Sequence, residues 1–276
     1  MQVNQDPLFE LYRAALSRRR KQFCTQVRDL TKIDLGQGYA LMIAVDSDGG
    51  IGPLEHDTVQ CSAYQLGRFA MRVPLLELLA SGARPLAAFD MLTVPMQPHG
   101  TEIIRGIRDE LHLAGLGRDF PLSGSTEDNV PTTMTGIGTT VIGLVHETDL
   151  RPGTSQAGDA IICIGVPKSG PEDKVTLIDK TILQQQEFRK VLQIEGIHDI
   201  LPVGSRGVAY EAGELARLAG LELDLADAHA INIKKSAGPA TCVLVSCTNA
   251  AINQIRQQIL TPIFFIGRLL KQGEVR

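Results

Sequence analysis

No two of the chain's five cysteines, Cys24, Cys61, Cys163, Cys242 and Cys247, form a CxxC pair, and their number is odd. Three of them lie in apolar, strand-like surroundings, where cysteine behaves as a small hydrophobe. A zinc site and a disulfide framework are therefore disfavoured, and a reducing cytosol is the simplest setting. No apolar run approaches the ~18 residues of a membrane span. The opening stretch MQVNQDPLFELYRAALSRRRKQ lacks the apolar core of a signal peptide. A basic excess is missing too. The net charge of −4 argues against a general nucleic-acid binder, whose affinity rests on Lys and Arg neutralising phosphates. The one basic cluster, Arg18 to Lys21, reads as a solvated helix face. There is no low-complexity run and no disordered tail is expected. What remains, with 43% hydrophobic and 21% charged residues among 276, is a soluble cytoplasmic protein of one large or two modest domains.

The stretch around which the chain is organised is LMIAVDSDGGIG, from Leu41 to Gly52. A branched apolar run reads as a buried strand, and Asp46 and Asp48 follow at its C-terminal end. Gly49, Gly50 and Gly52 then allow backbone to fold closely around a ligand. Carboxylates beside a glycine-rich loop suit a magnesium–triphosphate complex, with hard oxygens for the metal and N–H groups for phosphate. An ordinary Asp/Gly turn is the alternative reading.

Taken in order, residues 7 to 23 carry apolar side chains at helical spacing and predict an edge helix. RDLTKIDLGQG follows, with Asp29 and Asp34 as turn or capping acids that also stand where a further metal ligand would. His56 and Asp57 open the segment after the loop. Ala63 to Leu79 predicts a helix that Pro74 divides or kinks. Glu77 sits there among leucines and must be paired, exposed or metal-bound. LAAFDMLTV predicts a strand interrupted by Asp90, and Gly100 to Leu116 another amphipathic helix. A polar loop with Glu127, Asp128 and Asn129 leads to a threonine-rich strand from Thr132 to Val145. Pro, Gly, Ser and Gln cluster between Arg151 and Gly158 and suggest a boundary, giving domains 1–150 and 151–276. The second half predicts a strand at AIICIGVP, a helix over 180–193, the loop DILPVGSRG, the helix VAYEAGELARLAG, the strand SAGPATCVLVSC, a helix over 249–259 and the strand IFFIGRL. Helices and strands alternate, so the expected class is mixed α/β.

Asp46, Asp48, Glu77, Asp90, Glu127 and Asp128 all fall at strand ends or in glycine-containing loops of the first half. Several carboxylates facing one volume repel unless a cation lies between them, and Mg²⁺ with ATP is the natural cation. Six unrelated surface acids, chosen from 31, are the other reading. No GxxxxGK[ST] loop and no protein-kinase signature occurs. Six histidines (His56, His99, His112, His146, His198 and His229) show no metal spacing. Lys234 and Lys235 read as solvated charge ahead of a strand.

The order DSDGGIG, HDTV, SGARPLAAFD, SGSTED and MTGIGTTVIG resembles the aminoimidazole-ribonucleotide synthetase-like (PurM-like) superfamily of ATP-using enzymes, nearly continuously from residue 41 to 166. The resemblance implies a two-domain α+β fold. Its N-terminal half would share a β-barrel with a second copy in a homodimer, and its C-terminal α/β half would cover ATP. By position it implies catalytic, metal-binding roles for Asp46, Glu77 and Glu127, with Asp29 or Asp128 assisting at the metal. It implies nucleotide contacts for Asp48, Gly49, Gly50, Gly52, Asp57, Asp90, Asp128, Asn129 and Arg206, with Asn129, Arg206 and Ser236 with Gly238 as the candidates for substrate contact. The second half departs from thiamine-monophosphate kinases, because Ser205, Arg206 and Gly207 replace an Asp-x-Ser-Asp-Gly pattern. DSDGGIG, STEDN, SRG and KSAGP are most similar to the α-ribazole kinase branch. That branch implies phosphorylation of a nucleoside-like small molecule, with no nucleic acid or membrane partner. Another kinase or ligase of the superfamily, or a non-catalytic nucleotide binder, remains open.

Overall fold

The structure, a computed structural model, describes residues 7–16, 23–228 and 230–274. The basic run Arg18–Lys21, the far end of the first predicted helix and His229 lie outside the described residues. Helix α1 (Pro7–Leu16) rests on β2 (Leu30–Gly36), which forms a hairpin with β1 (Cys24–Val27). Strand β3 (Tyr39–Gly49) follows, then the short parallel pair β4 (Ile51–Gly52) and β5 (Val59–Gln60). Next come α2 (Ala63–Ala80), β6 (Arg84–Leu92), α3 (Thr101–Leu113), β7 (Leu122–Thr126) and β8 (Gly136–His146). The first sheet has the order β1-β2-β3-β8-β6-β7, antiparallel throughout except for β6 with β7.

Alternation along β3 and β8 decides the faces. Ala40, Met42 and Ala44 of β3, with Ile137, Val141 and Val145 of β8, pack under α2 and α3 to form one core. The two helices approach closely because Gly67 lies against the Ile103 carbonyl and Gly106 against the Tyr64 carbonyl, where a Cβ would stand 2.0 and 2.2 Å from the oxygen. The opposite face carries Leu41, Ile43, Ile142 and Leu144, none of which joins a core, and Val45, 62% exposed.

The second sheet, β10-β12-β9-β13-β11, is antiparallel. It is built from β9 (Ala160–Ile164), β10 (Ile197–Pro202), β11 (Glu222–Leu225), β12 (Val243–Cys247) and β13 (Ile263–Leu270). Helices α4 (Gln185–Val191) and α6 (Asn249–Gln258) cover one face and α5 (Val208–Leu218) the other. Both faces being covered, β9 and β12 are apolar on both sides: Ile162 and Ile164 face the α4–α6 core, Ile161 and Cys163 the α5 core. Helix α2 belongs to both halves. Leu76 and Ala80 enter the α4–α6 core. The buried Arg72 donates to the Ala240 carbonyl at 3.1 Å and to the Leu183 carbonyl.

Several expectations are corrected. Residues 24–36 form a strand hairpin that was not expected, with Asp29 in its turn as expected and Asp34 on β2. Asp46 and Asp48 do lie at the C-terminal end of β3, where pairing runs through Asp46↔Thr139 and Asp48↔Ile137 to Gly49. Pro74 does not divide α2. LSGST and DILP are strands β7 and β10, read as loops from the sequence. β8 starts at Gly136, after Thr135 has bonded to Asp57. The helix predicted over 180–193 narrows to Gln185–Val191.

Candidate functional site

A cleft of about 850 Å³ opens between the two halves. One end is acidic. Asp46 and Asp48 reach it because they extend the inward-facing register of Ala40, Met42 and Ala44 past the cover of the helices. Glu77 comes from α2, and Asp29 from the turn between β1 and β2. Beyond them the wall is apolar, with Ile51, Val59, Leu66, Phe69 and Val73. The second half contributes residues 169–176, Gly204 with Ser205, and Ser236 with Gly238.

The acids act on one another. Burial holds the Asp46 carboxyl above its ordinary value, against a bond from the Ser47 N–H, and the charge of Asp29 adds to the rise. Asp48 is pushed up to about 6 by burial and then by Asp46. Glu77 is pushed up to about 8 by burial and by Asp29, with Arg28 opposing and Glu211 and Asp46 adding. Glu211, on the first turn of α5, is pushed up to about 7 by burial and then Asp29. Sequence reading missed Glu211. Its one signal was a carboxylate in the first helical turn after a glycine-containing loop.

Other proposed site residues stand elsewhere. Asp57 is buried and accepts bonds from the Leu54 N–H, the Thr135 N–H and the Thr135 hydroxyl at 2.7–2.8 Å, so its carboxylate braces the glycine loop. Gly52, at φ +153°, lies where a Cβ would strike Thr135 and Asp57. Gly49 and Gly50 do not line the cleft, and neither does the exposed His56. Asp90 is buried under the helices. Glu127 accepts from the Asn129 and Val130 N–H groups, and Asp128 from the Met96 N–H and the Thr126 hydroxyl. This loop closes on itself and does not line the cleft of its own chain. The Arg206 guanidinium stacks 4.5 Å from the Tyr210 ring centre, while its neighbour Ser205 lines the cleft. Lys235 is not solvated charge: it pairs with Asp173 at 2.7 Å.

Hard oxygens that destabilise one another when ionised suit a divalent cation. Among the described residues, however, no three His, Cys, Asp or Glu side chains stand close enough to hold an ion unaided. That fits magnesium, which is usually bound by one or two carboxylates together with substrate phosphates. Among the described residues no helix is long and apolar enough to cross a membrane.

Residues 29–145 match the family model for the N-terminal domain of AIR synthase related protein. The fold is PurM-like. Thiamine-monophosphate kinase from Stenotrophomonas maltophilia K279a superposes over 100% of this chain and 97% of its own, with a TM-score of 0.58 at 18% identity. T. maritima PurL complexed with ATP superposes over 91% of this chain and 42% of its own, with a TM-score of 0.61 at 17% identity. A curated relative, selenide, water dikinase of Sulfurimonas denitrificans, is 26% identical over 136 residues. That alignment covers 49% of this chain and only 37% of the dikinase. The family-model match lies within the first half of the chain, and the likeness to these solved structures is one of fold.

Proposed function

We propose that the chain is an ATP- and Mg²⁺-dependent small-molecule kinase, and that its acceptor is the 5′-hydroxyl of α-ribazole, giving α-ribazole 5′-phosphate in cobalamin lower-ligand salvage. The observation that carries the kinase reading is the meeting of Asp29, Asp46, Asp48 and Glu77, from three separate segments, at one end of a cleft between the halves. The PurL relative solved with ATP supports the nucleotide. The acceptor rests on the similarity of the DSDGGIG, STEDN, SRG and KSAGP segments to that branch.

In this reading one or two carboxylates of the cluster, Asp46 and Glu77 foremost with Asp29 and Asp48 beside them, would hold Mg²⁺ together with the ATP phosphates. When bound, the metal neutralises charge on the transferring phosphates. The chain's own work is positioning. The apolar wall of Leu66, Phe69 and Val73 receives a planar ring, and the Ser236–Gly238 loop borders the acceptor. Glu127 enters by resemblance alone. The uncovered apolar face of the first sheet supports a homodimer whose sheets close on one another.

A thiamine-monophosphate kinase-like reaction is the second reading, favoured by full-length superposition on that enzyme. Glu211, beside Gly204 and in the field of Asp29, would serve as the second-half acid that the Ser205–Arg206 loop lacks, which counts against a non-catalytic binder.

The test is ADP release from Mg²⁺-ATP with α-ribazole, thiamine monophosphate, formylglycinamidine ribonucleotide, selenide or no acceptor. Release dependent on α-ribazole, with a phosphorylated nucleoside by mass spectrometry, is expected. Release with another acceptor replaces the substrate, and an absence of ATP binding removes the reading. Asp46→Asn should lower turnover by orders of magnitude while leaving the circular dichroism spectrum unchanged; an active variant sinks the metal assignment.

A further inference from the structure

The turn that delivers Asp29 is unusual. The Val27↔Leu30 pair closes a two-residue loop of Arg28 and Asp29, and Arg28 has φ +55°. Two-residue hairpin loops normally place glycine, asparagine or aspartate in this left-handed region, because a Cβ is crowded there. Strain of this kind persists only where the surroundings over-determine it.

The surroundings here belong to the other half of the molecule. The Arg28 guanidinium donates through Nη2 to Asp199 Oδ2 at 2.5 Å and through Nη1 to the Ile200 carbonyl at 2.8 Å, both on β10. The two side chains are 5% and 0% exposed. Asp199 is itself fixed, accepting from the Gly153 N–H at 2.9 Å and the Ile200 N–H at 2.8 Å. A hairpin of the first sheet is thus pinned to an edge strand of the second, and Asp29 in its turn lines the cleft.

We propose that Arg28 is a positioning residue: its buried pair with Asp199 holds the turn in the left-handed conformation that presents the Asp29 carboxylate to the metal–nucleotide end of the cleft. This inference rests on the metal–nucleotide reading of that site. Arg28 touches no reactant in it and acts through Asp29. A mere cross-link between the halves would use the same bonds without depending on Asp29, so the two roles separate in a mutant cycle.

The experiment measures Mn²⁺ binding by electron paramagnetic resonance in the presence of the non-hydrolysable ATP analogue AMPPCP, with thermal unfolding followed in parallel. In Arg28→Ala/Asp199→Asn, alanine keeps the Cβ that disfavours the left-handed turn but loses the tether, and asparagine removes the orphaned charge. It should fold and bind Mn²⁺ about 10–100-fold more weakly, the usual cost of losing a group that orients a metal ligand. Asp29→Asn should show a loss of similar size, and the triple variant should bind no more weakly than Asp29→Asn alone. Wild-type affinity in Arg28→Ala/Asp199→Asn, or losses that multiply in the triple variant, overturns the proposal. If the double variant does not fold, Asp199→Asn alone must weaken Mn²⁺ binding in the same direction, and unchanged affinity is equally decisive. Wild-type protein that binds no Mn²⁺ with AMPPCP removes the metal–nucleotide reading and this inference together.

Discussion

Asp90 illustrates what a single residue's place in the fold does to its chemistry. It is 2% exposed, near the C-terminal end of β6, and burial pushes its carboxyl up to about 6 against the opposing charge of Arg108. The folded protein therefore keeps a proton that the unfolded chain has released above its ordinary value of 3.8. Stability from this group is full below 3.8 and is lost as pH rises through about 6. Melting temperature should fall over that interval, and Asp90→Asn, which cannot ionise, should remove that part of the slope. An unchanged slope by calorimetry would show that Asp90 is ionised throughout. The same residue shows why acids were only partly legible in the sequence. Asp46, Asp48, Asp57 and Asp90 are equally polar letters, yet two line a cleft, one braces a loop and one is buried under helices. The register that separates Asp46 from a solvent-facing position was readable from alternation; the hydrogen bonds that occupy Asp57 were not.

At the scale of elements, α2 passes through Pro74 because another element answers the defect. Proline removes the N–H that would bond the Ala70 carbonyl. Thr139 of β8, 1% exposed, donates its hydroxyl to that carbonyl at 2.8 Å. Thr139→Val keeps the shape and orphans the carbonyl, which should cost about 1–3 kcal/mol in urea unfolding. In a Pro74→Ala background the helix regains its own donor, so the same substitution should cost distinctly less. Equal costs in both backgrounds would mean that the hydroxyl does not serve the helix. The long, patterned elements were visible in sequence: α2, α3, α5, α6, β8, β9 and β13 all lie where periodicity put them, to within a few residues. β1, β2, β7, β10 and β11 were missed, as was the short pair β4–β5. β1 is largely exposed and shows no alternation, β7 pairs only along one edge, and β10 has apolar letters too few to distinguish from a loop.

For the whole molecule, the shared helix and the uncovered sheet face matter most. Helix α2 carries Glu77 into the cleft while its leucines enter cores of both halves, so the cleft's two walls are referred to one rigid rod. The face of Leu41, Ile43, Val45, Ile142 and Leu144 would be costly to leave in water across two central strands. Ile43→Glu should convert the proposed dimer to a monomer in sedimentation velocity, with an unchanged circular dichroism spectrum. A wild-type monomer, or a dimeric variant, removes that interface. The sequence by itself determined the mixed α/β class, the long elements and the principal acids of the first half, because helical and strand periodicities are local properties of a chain. Only the tertiary structure decided that Glu211 joins those acids, that Asp57 does not, and that Arg28 reaches Asp199 across 171 positions. Such meetings depend on which faces pack together, and burial then sets the charge each group can carry.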